Sequence, residues 1–367
     1  KDFKNHVAEW SSMLWNKLDA DQLTAGAEKF AKTSKRLQNE YNDHPVFQKL
    51  AAKISNFKES VPLIQKLRAG SVTGIHWEKL MRETGIKLEV NFKTMTLDQV
   101  FALNLQNFPD KVDEIVTEAN NEAKNELEIS KIESFWKTAN FGLVPHKKGN
   151  EERGFLLKGT DDIKQTLEDH LTNIQQVASS RFVSAIIGRV KEWEKSLNRI
   201  SEVIELWLMV QKKWIYLEGI FIGSDDIRQQ LPDEAKRFDK TDRAFRKIME
   251  TTSRNPNIRT CCVLTETRLG ELRNLSGDLD KCQKSLSEYL DGKRTIFPRF
   301  YFISDDELLS ILGSSDTQAI QPHLLKLFDN VKELVFSKAK AVTGMVSDEG
   351  EAFDLKEPRK AEGAVEN

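Results

Sequence analysis

The residues in this sequence that could bind a metal or act as nucleophiles are few and widely spaced. The three cysteines are Cys261, Cys262 and Cys282, and the six histidines are scattered along the chain. Neither set has the spacing of a zinc site, and no helical turn brings two histidines together. The cysteines are therefore predicted to be free, buried thiols in a reducing compartment such as the cytoplasm.

Two pairs of adjacent carboxylates, Asp225–Asp226 and Asp305–Asp306, could support acid–base catalysis. Each pair follows a serine at a predicted helix start, where capping of the helix explains it more simply. No glycine-rich loop ends in Gly-Lys-Ser/Thr, and the nearest runs, 142–149 and 219–223, lack a lysine placed to reach a phosphate. The sequence therefore predicts that this chain is not an enzyme and holds no cofactor or metal.

Two other groups of residues are candidates for binding a partner. The basic run His146, Lys147 and Lys148 lies in a polar loop predicted to be the exposed tip of a hairpin, as a solvated loop or as a contact site. The aromatic run from 297 to 302 is either a core plug or a docking surface. The contact candidates in this second run are Phe297, Arg299, Phe300 and Tyr301.

The composition excludes several classes of partner. The chain has 367 residues, of which 31% are charged and 39% hydrophobic, and its formal net charge is −2. This balance argues against a surface that binds nucleic acid or an anionic membrane through charge alone. No long apolar run or signal pattern occurs, so no membrane insertion is predicted.

The element that must organise this fold is a long helix predicted from Phe182 to Phe221. Apolar residues recur there in steps of three or four, and three tryptophans, Trp193, Trp207 and Trp214, lie on the same stripe. Charged residues fill most of the opposite side, so the stripe is a packing face. A second stripe runs from Leu264 to Leu290.

The remaining elements predict a mainly α fold: an elongated array of helical bundles with a β-hairpin insertion and a small β appendage near the C-terminus. The alternation from Ile86 to Phe92 is compatible with a short strand. Because the sequence begins in helical pattern without a methionine, we expect a piece of a larger protein. The expected segments are a helical part at 1–137, the hairpin at 138–158, a long-helix bundle at 159–330, short strands at 331–357 and a disordered or truncated tail at 358–367.

Several long phrases of the sequence resemble the linker of a dynein heavy chain, of the axonemal and outer-arm type. They are WIYLEGIFIGSDDIRQQ from Trp214, FPRFYFISDDELLSILG from Phe297, LLKLFDNVK from Leu324, LLKGTDDI from Leu156 and GMVSDEGE from Gly344. The resemblance covers most of the chain, in order, and is strongest from about residue 130 to 355.

The resemblance implies a mechanical role. The linker of that family arches over a ring of AAA+ modules and bends and straightens during the ATP cycle, which gives the power stroke on microtubules. ATP and Mg²⁺ would bind elsewhere in the parent chain, and the implied partners are that ring, intermediate and light chains, and microtubules in the cytoskeleton of a cilium or flagellum axoneme. A hinge is expected within 84–160, at Gly85 or Gly142, where glycines interrupt the apolar stripes. The alternative is a helical scaffold that binds other proteins along its length.

Overall fold

The computed structural model describes residues 2–41, 43–314, 316–338 and 340–361. Its helices are α1 Asp2–Ser11, α2 Ala20–Tyr41, α3 Pro45–Leu67, α4 Gly74–Thr84, α5 Leu97–Phe101, α6 Pro109–Thr138, α7 Thr160–Ala178, α8 Ile187–Phe221, α9 Asp225–Gln230, α10 Pro232–Arg254, α11 Arg268–Ile296, α12 Asp305–Leu312 and α13 Leu324–Leu327. The strands are β1 Gly142–Lys148, β2 Glu151–Lys158, β3 Glu333–Phe336, β4 Ala341–Val346 and β5 Ala352–Lys360. The mainly α class, the hairpin and the small sheet near the C-terminus are thus confirmed.

The chain forms two compact units, of which the first comprises Lys1–Glu133 and Asn173–Glu192. Its core is built from apolar residues of α1 to α6. Trp10 stacks on Phe57 with ring centroids 5.2 Å apart, and Trp15 meets Trp77 edge-on at 5.2 Å. Aromatic pairs of this kind add about 0.5–1.5 kcal/mol beyond the burial of their surface. This unit therefore has a hydrophobic core of its own.

The second unit comprises Ser134–Thr172 and Trp193–Asn367 and is organised around α8. The apolar stripe of that helix from Trp193 to Phe221 is buried, and Trp207 and Trp214 are fully inaccessible. Phe141 contacts Trp207 at 5.5 Å, and Phe245 of α10 contacts Trp214 at 4.9 Å. Each such large side chain contributes about 1.5–3 kcal/mol when it leaves water, so the predicted packing face of the long helix is confirmed.

The long helix begins later than predicted. Residues 180 to 186 form turns, and α8 starts at Ile187. The side-chain amide of Asn125 donates to the Ser180 hydroxyl at 3.1 Å and to the Phe182 carbonyl at 3.2 Å, which holds this segment outside the helix. The second stripe also begins later, because Leu264 ends a π-helical turn, is 60% exposed, and precedes α11.

The strand predicted between Ile86 and Phe92 was wrong, because this part of the chain is irregular. Ile86, Leu88 and Val90 alternate because they pack against the helical core of the first unit without a neighbouring strand. The backbone N–H of Leu88 donates to Met81 Sδ at 2.9 Å, which holds the segment against α4.

The C-terminal sheet has the antiparallel order β3-β4-β5. Strand β5 continues to Lys360, inside the segment that was predicted as a tail, while residues 362–367 lie outside the described residues. None of the helices in the described part of the chain combines the length and the apolar character needed to cross a membrane.

Candidate functional site

The hairpin β1–β2 is closed by a two-residue turn between Lys148 and Glu151. Gly149 adopts a φ of +61° in this turn, a conformation that glycine reaches without steric cost. The register shifts between Pro145 and Lys147, which turns neighbouring side chains out of strict alternation. Both His146 on β1 and Arg153 on β2 can therefore reach the helical bundle.

Arg153 is the centre of a buried charge cluster. Its side chain is 7% exposed, and Nε donates to Glu218 Oε1 of α8 at 2.9 Å while Nη2 donates to Asp242 Oδ1 of α10 at 3.0 Å. The Nε2 atom of His146 lies 2.6 Å from Glu218 Oε2. One guanidinium thus joins the hairpin to two helices, in a geometry suited to its planar set of donors.

Aromatic and hydrogen-bonding neighbours complete this cluster. Trp214 Nε1 donates to Asp242 Oδ1 at 3.1 Å, and the Trp214 ring lies 5.3 Å from the ring of His146. Burial lowers the pKa of Arg153, but its hydrogen bond to Glu218 and the charges of Asp242 and Glu218 outweigh this effect, so its pKa lies above the usual value. The guanidinium therefore remains charged, and the cluster is a structural ion network.

Two further contacts fix the hairpin on α8. Lys148 Nζ donates to the backbone carbonyl of Glu218 at 2.9 Å, near the C-terminal end of the helix, where a cation is favoured. Four residues beyond Arg153 on β2, the Leu157 N–H donates to Gln211 Oε1 at 2.8 Å, and Gln211 Nε2 donates back to the Leu157 carbonyl at 3.1 Å. The hairpin is therefore clamped at two levels of the long helix.

The prediction that the whole basic tip is exposed was wrong for two of its three residues. The side chain of His146 is 18% exposed, and Lys148 is half-buried, because both bind Glu218. Lys147 alone points outward, with its side chain 57% exposed, and pairs with Glu152 across the hairpin at 2.9 Å.

Sequence reasoning missed Arg153, Glu218 and Asp242, although two of them carry a recognisable signal. Glu218 occupies a position of the apolar stripe of α8, between Trp214 and Phe221. Asp242 likewise falls between Phe238 and Phe245 on α10. A carboxylate at a core position of a helix needs a buried cationic partner, which could have been sought on the hairpin.

The aromatic run divides between the two predicted alternatives. Phe300 is fully buried and meets Phe297 at 4.8 Å, so these two rings form a core plug. Arg299 Nη1 donates to the Leu327 carbonyl at 2.8 Å. Tyr301 and Phe302, in contrast, are 62% and 69% exposed. The run is thus held by contacts with nearby residues, and it presents two aromatic rings outward.

The two candidate hinge glycines occupy different settings outside the charge cluster. Gly85 ends α4 with a φ of +74°, and an added Cβ would find open space. Gly142 begins β1, where an added Cβ would lie 2.5 Å from the Lys158 carbonyl oxygen. The backbone at Gly142 is therefore packed closely against that of Lys158 on the neighbouring strand. The backbone at Gly85 instead forms the end of a helix with open space around it.

The cysteines and the carboxylate pairs have the predicted structural roles. Cys261, Cys262 and Cys282 are buried and free. The Ser224 hydroxyl accepts from the Ile227 N–H at 3.3 Å, which caps α9, and Ser304 forms a capping box with Glu307 at the start of α12. Within the described residues, no group of three or more histidines, cysteines and carboxylates is arranged to hold a metal ion.

The fold and its buried site define a mainly α-helical protein in which an ion network fixes a hairpin to a long helix. Comparison with known families identifies which one: residues 1–367 match the family described as "Dynein heavy chain, N-terminal region 2", and the chain belongs to this family.

Relatives from several organisms agree with this assignment. The chain is 44% identical over 363 residues to human "Dynein axonemal heavy chain 10" and 44% identical over 361 residues to "Dynein-1-alpha heavy chain, flagellar inner arm I1 complex" of Chlamydomonas reinhardtii. It is 34% identical over 372 residues to "Dynein beta chain, ciliary" of Heliocidaris crassispina. These matches cover 98 to 99% of this chain but only 8% of each relative. The predicted resemblance to axonemal dynein heavy chains is confirmed.

Proposed function

We propose that this chain is the mechanical linker of an axonemal dynein heavy chain. It bends and straightens over the AAA+ ring of the same heavy chain and so transmits the ATP-driven stroke to microtubules. ATP and Mg²⁺ bind in other regions of the parent chain. Intermediate and light chains are its further partners, and the names of the relatives support a place in the axoneme of a cilium or flagellum.

The observation that carries this proposal is the clamp on α8. A lever must resist bending along its length, and an isolated two-stranded hairpin is marginally stable in water. Here Arg153 ties the hairpin to both α8 and α10, and Gln211 binds it a second time. Since packed interfaces switch between discrete arrangements and do not deform smoothly, we expect this clamp to make the hairpin, α8 and α10 move as one stiff body.

The test uses the complete heavy chain with Arg153→Met, which removes the guanidinium that ties the hairpin to α8 and α10. We expect microtubule gliding to slow while basal ATP turnover persists, because the stroke is generated but poorly transmitted. Arg246→Met is the matched control, since Arg246 Nη1 lies 3.8 Å from the same Asp242 carboxylate and its side chain is 36% exposed. Normal gliding by a motor whose hairpin is shown to be loosened would refute the lever role and favour the helical scaffold.

The identities also bear on the type of dynein arm. The relative at 44% identity from Chlamydomonas reinhardtii is named as part of an inner-arm complex. We therefore favour an inner-arm origin over the outer-arm type suggested by the sequence phrases. Localisation of the tagged heavy chain in axonemes stripped of outer arms tests this choice.

A further inference from the structure

A cavity of about 550 Å³ lies between α10 and α11. The two helices run antiparallel, because Glu234 at the start of α10 accepts hydrogen bonds from Cys282 and Ser285 late in α11. The cavity borders Thr251 near the end of α10 and Arg268 at the start of α11. It is therefore an elongated groove along a helix pair.

Both walls of the groove have the same helical spacing. On α10 the lining residues include Thr241, Ala244, Ile248 and Thr251, and on α11 they include Arg268, Glu271, Leu275 and Asp278. Each series advances in steps of three, four and three, which is the spacing with which one helix presents a seam to another. Ten residues at 1.5 Å each give a groove about 15 Å long, or about three helical turns. These dimensions fit another α-helix.

The floor of the groove is apolar and its walls are charged. Ile248 and Leu275, which form the floor, are 7% and 6% exposed, and the small, exposed side chain of Ala244 leaves room above them. Lys240 and Lys247 stand on the α10 wall, while Glu271 and Asp278 stand on the α11 wall, and the members of each pair are seven residues apart. Charges at this interval flank the seam of a coiled coil and select its partner.

Not all of these charges are satisfied within the chain. Among the described residues, no ion pair holds Lys240 or Lys247. Arg268 is 5% exposed and lies over the Trp207 ring, and its Nε and Nη1 atoms make no hydrogen bond, although Glu271 Oε2 is 3.4 Å from Nη1. Arg268 therefore borders the groove with a guanidinium whose hydrogen-bonding capacity the described residues use only in part.

We propose that this groove binds an amphipathic α-helix of a partner protein. The occupant has one apolar residue per turn over Ala244, Ile248 and Leu275. Carboxylates seven residues apart face Lys240 and Lys247, and an acidic side chain in its end turn approaches Arg268. Cations on its other flank face Glu271 and Asp278. This site is independent of the lever role, because it requires neither the ring nor nucleotide.

The experiment uses the whole chain and a synthetic stapled helix of about four turns, since short helices are marginal in water without such a staple. The probe has leucines in steps of three and four, glutamates seven apart on one flank and lysines seven apart on the other. A second probe exchanges the two flanks. Fluorescence anisotropy should show that the chain binds the first probe about tenfold more tightly than the second, as expected for four weak, exposed charge pairs.

The double variant Lys240→Glu/Lys247→Glu should abolish this preference, because both walls of the groove then carry carboxylates. Lys236→Glu/Arg243→Glu is the matched control, because these residues have the same spacing on α10 and stand outside the cavity lining. Ala244→Glu, at an exposed position, should abolish binding of both probes without unfolding the chain.

Three results would overturn the proposal. They are equal binding of the two probes, an equal effect of the control pair, or binding that survives Ala244→Glu. Sedimentation velocity tests a further alternative, in which a second copy of the chain occupies the groove. Self-association that Lys240→Glu/Lys247→Glu abolishes would support this alternative and would also overturn the proposal of a partner helix.

Discussion

Replacing Arg153 with methionine is the most informative single change, because it removes the guanidinium that bridges the hairpin, α8 and α10. Removal of one partner from a buried ion network costs about 3–5 kcal/mol, since the remaining charges are left uncompensated. Glu218 and Asp242 are 2% and 7% exposed. Because His146 still contacts Glu218 and Trp214 still donates to Asp242, we expect a value near the lower end, about 3 kcal/mol.

Hydrogen exchange read by mass spectrometry measures this change locally. A loss of about 3 kcal/mol corresponds to roughly 100-fold faster exchange of amides in residues 142–158 if they open through this clamp. A local probe is needed because a chain with two compact units need not unfold in one step. The control is Arg246→Met: Arg246 Nη1 lies 3.8 Å from Asp242 Oδ2 with its side chain 36% exposed, so we expect less than about 1 kcal/mol.

A double-mutant cycle makes the reasoning refutable. Glu218→Gln in the Arg153→Met background should cost less than it does alone, with a coupling of at least about 1 kcal/mol, because the orphaned carboxylate is then neutral. Additive effects, or exchange in Arg153→Met no faster than in Arg246→Met, would show that the hairpin is held by its apolar contacts and that the ion network is incidental.

Two further predictions follow from the pKa values of other groups. Burial raises the pKa of Cys282 to about 11, and it also raises the pKa of Cys261 and Cys262. A thiol reagent at about pH 8 should therefore label the folded chain slowly and the urea-unfolded chain fully. Rapid labelling of the folded protein would contradict this burial. The hydrogen bond from Lys326 Nζ lowers the pKa of Glu307 from 4.5 to about 2, and the hydrogen bonds that Glu307 accepts from Ser304 at the start of α12 contribute to this shift. The stabilising effect of the Glu307 carboxylate is therefore present above pH 4.5 and lost as the pH falls towards 2. The difference in unfolding free energy between wild type and Glu307→Gln should shrink over that range. A difference that does not change with pH would argue against this role of Glu307.

Helical periodicity predicts the parts of this fold that rest on repeated apolar contacts. The stripe through Trp193, Trp207 and Trp214 identifies the packing face of α8 because every turn gives the same signal. The same rule fails between Ile86 and Phe92, where alternation arises from packing on a helical core and not from pairing with a strand. It also misplaces the start of α8, which depends on a few polar contacts of Asn125.

The charge cluster lies beyond the reach of periodicity because its members are far apart in sequence. Arg153 is 65 residues from Glu218 and 89 residues from Asp242. A basic residue in a polar loop is normally solvated, so the pattern gives no reason to bury it. The only local signal is a carboxylate within each apolar stripe, and it predicts that a partner exists without identifying which residue supplies it.

The clamp also changes how the hairpin can be used to test contact with a ring. His146 and Lys148 are engaged with Glu218, so neither can also reach outward without breaking a hydrogen bond within the chain. Reversing the charge of Lys148 would loosen the hairpin from the end of α8, and any loss of motility would then report stiffness and not contact. Lys147 is exposed and, within the described part of the chain, pairs with Glu152 across the hairpin, so Lys147→Glu changes the outward charge and leaves the clamp intact. A contact at the tip is therefore supported only by a defect in Lys147→Glu that is absent from Lys147→Arg.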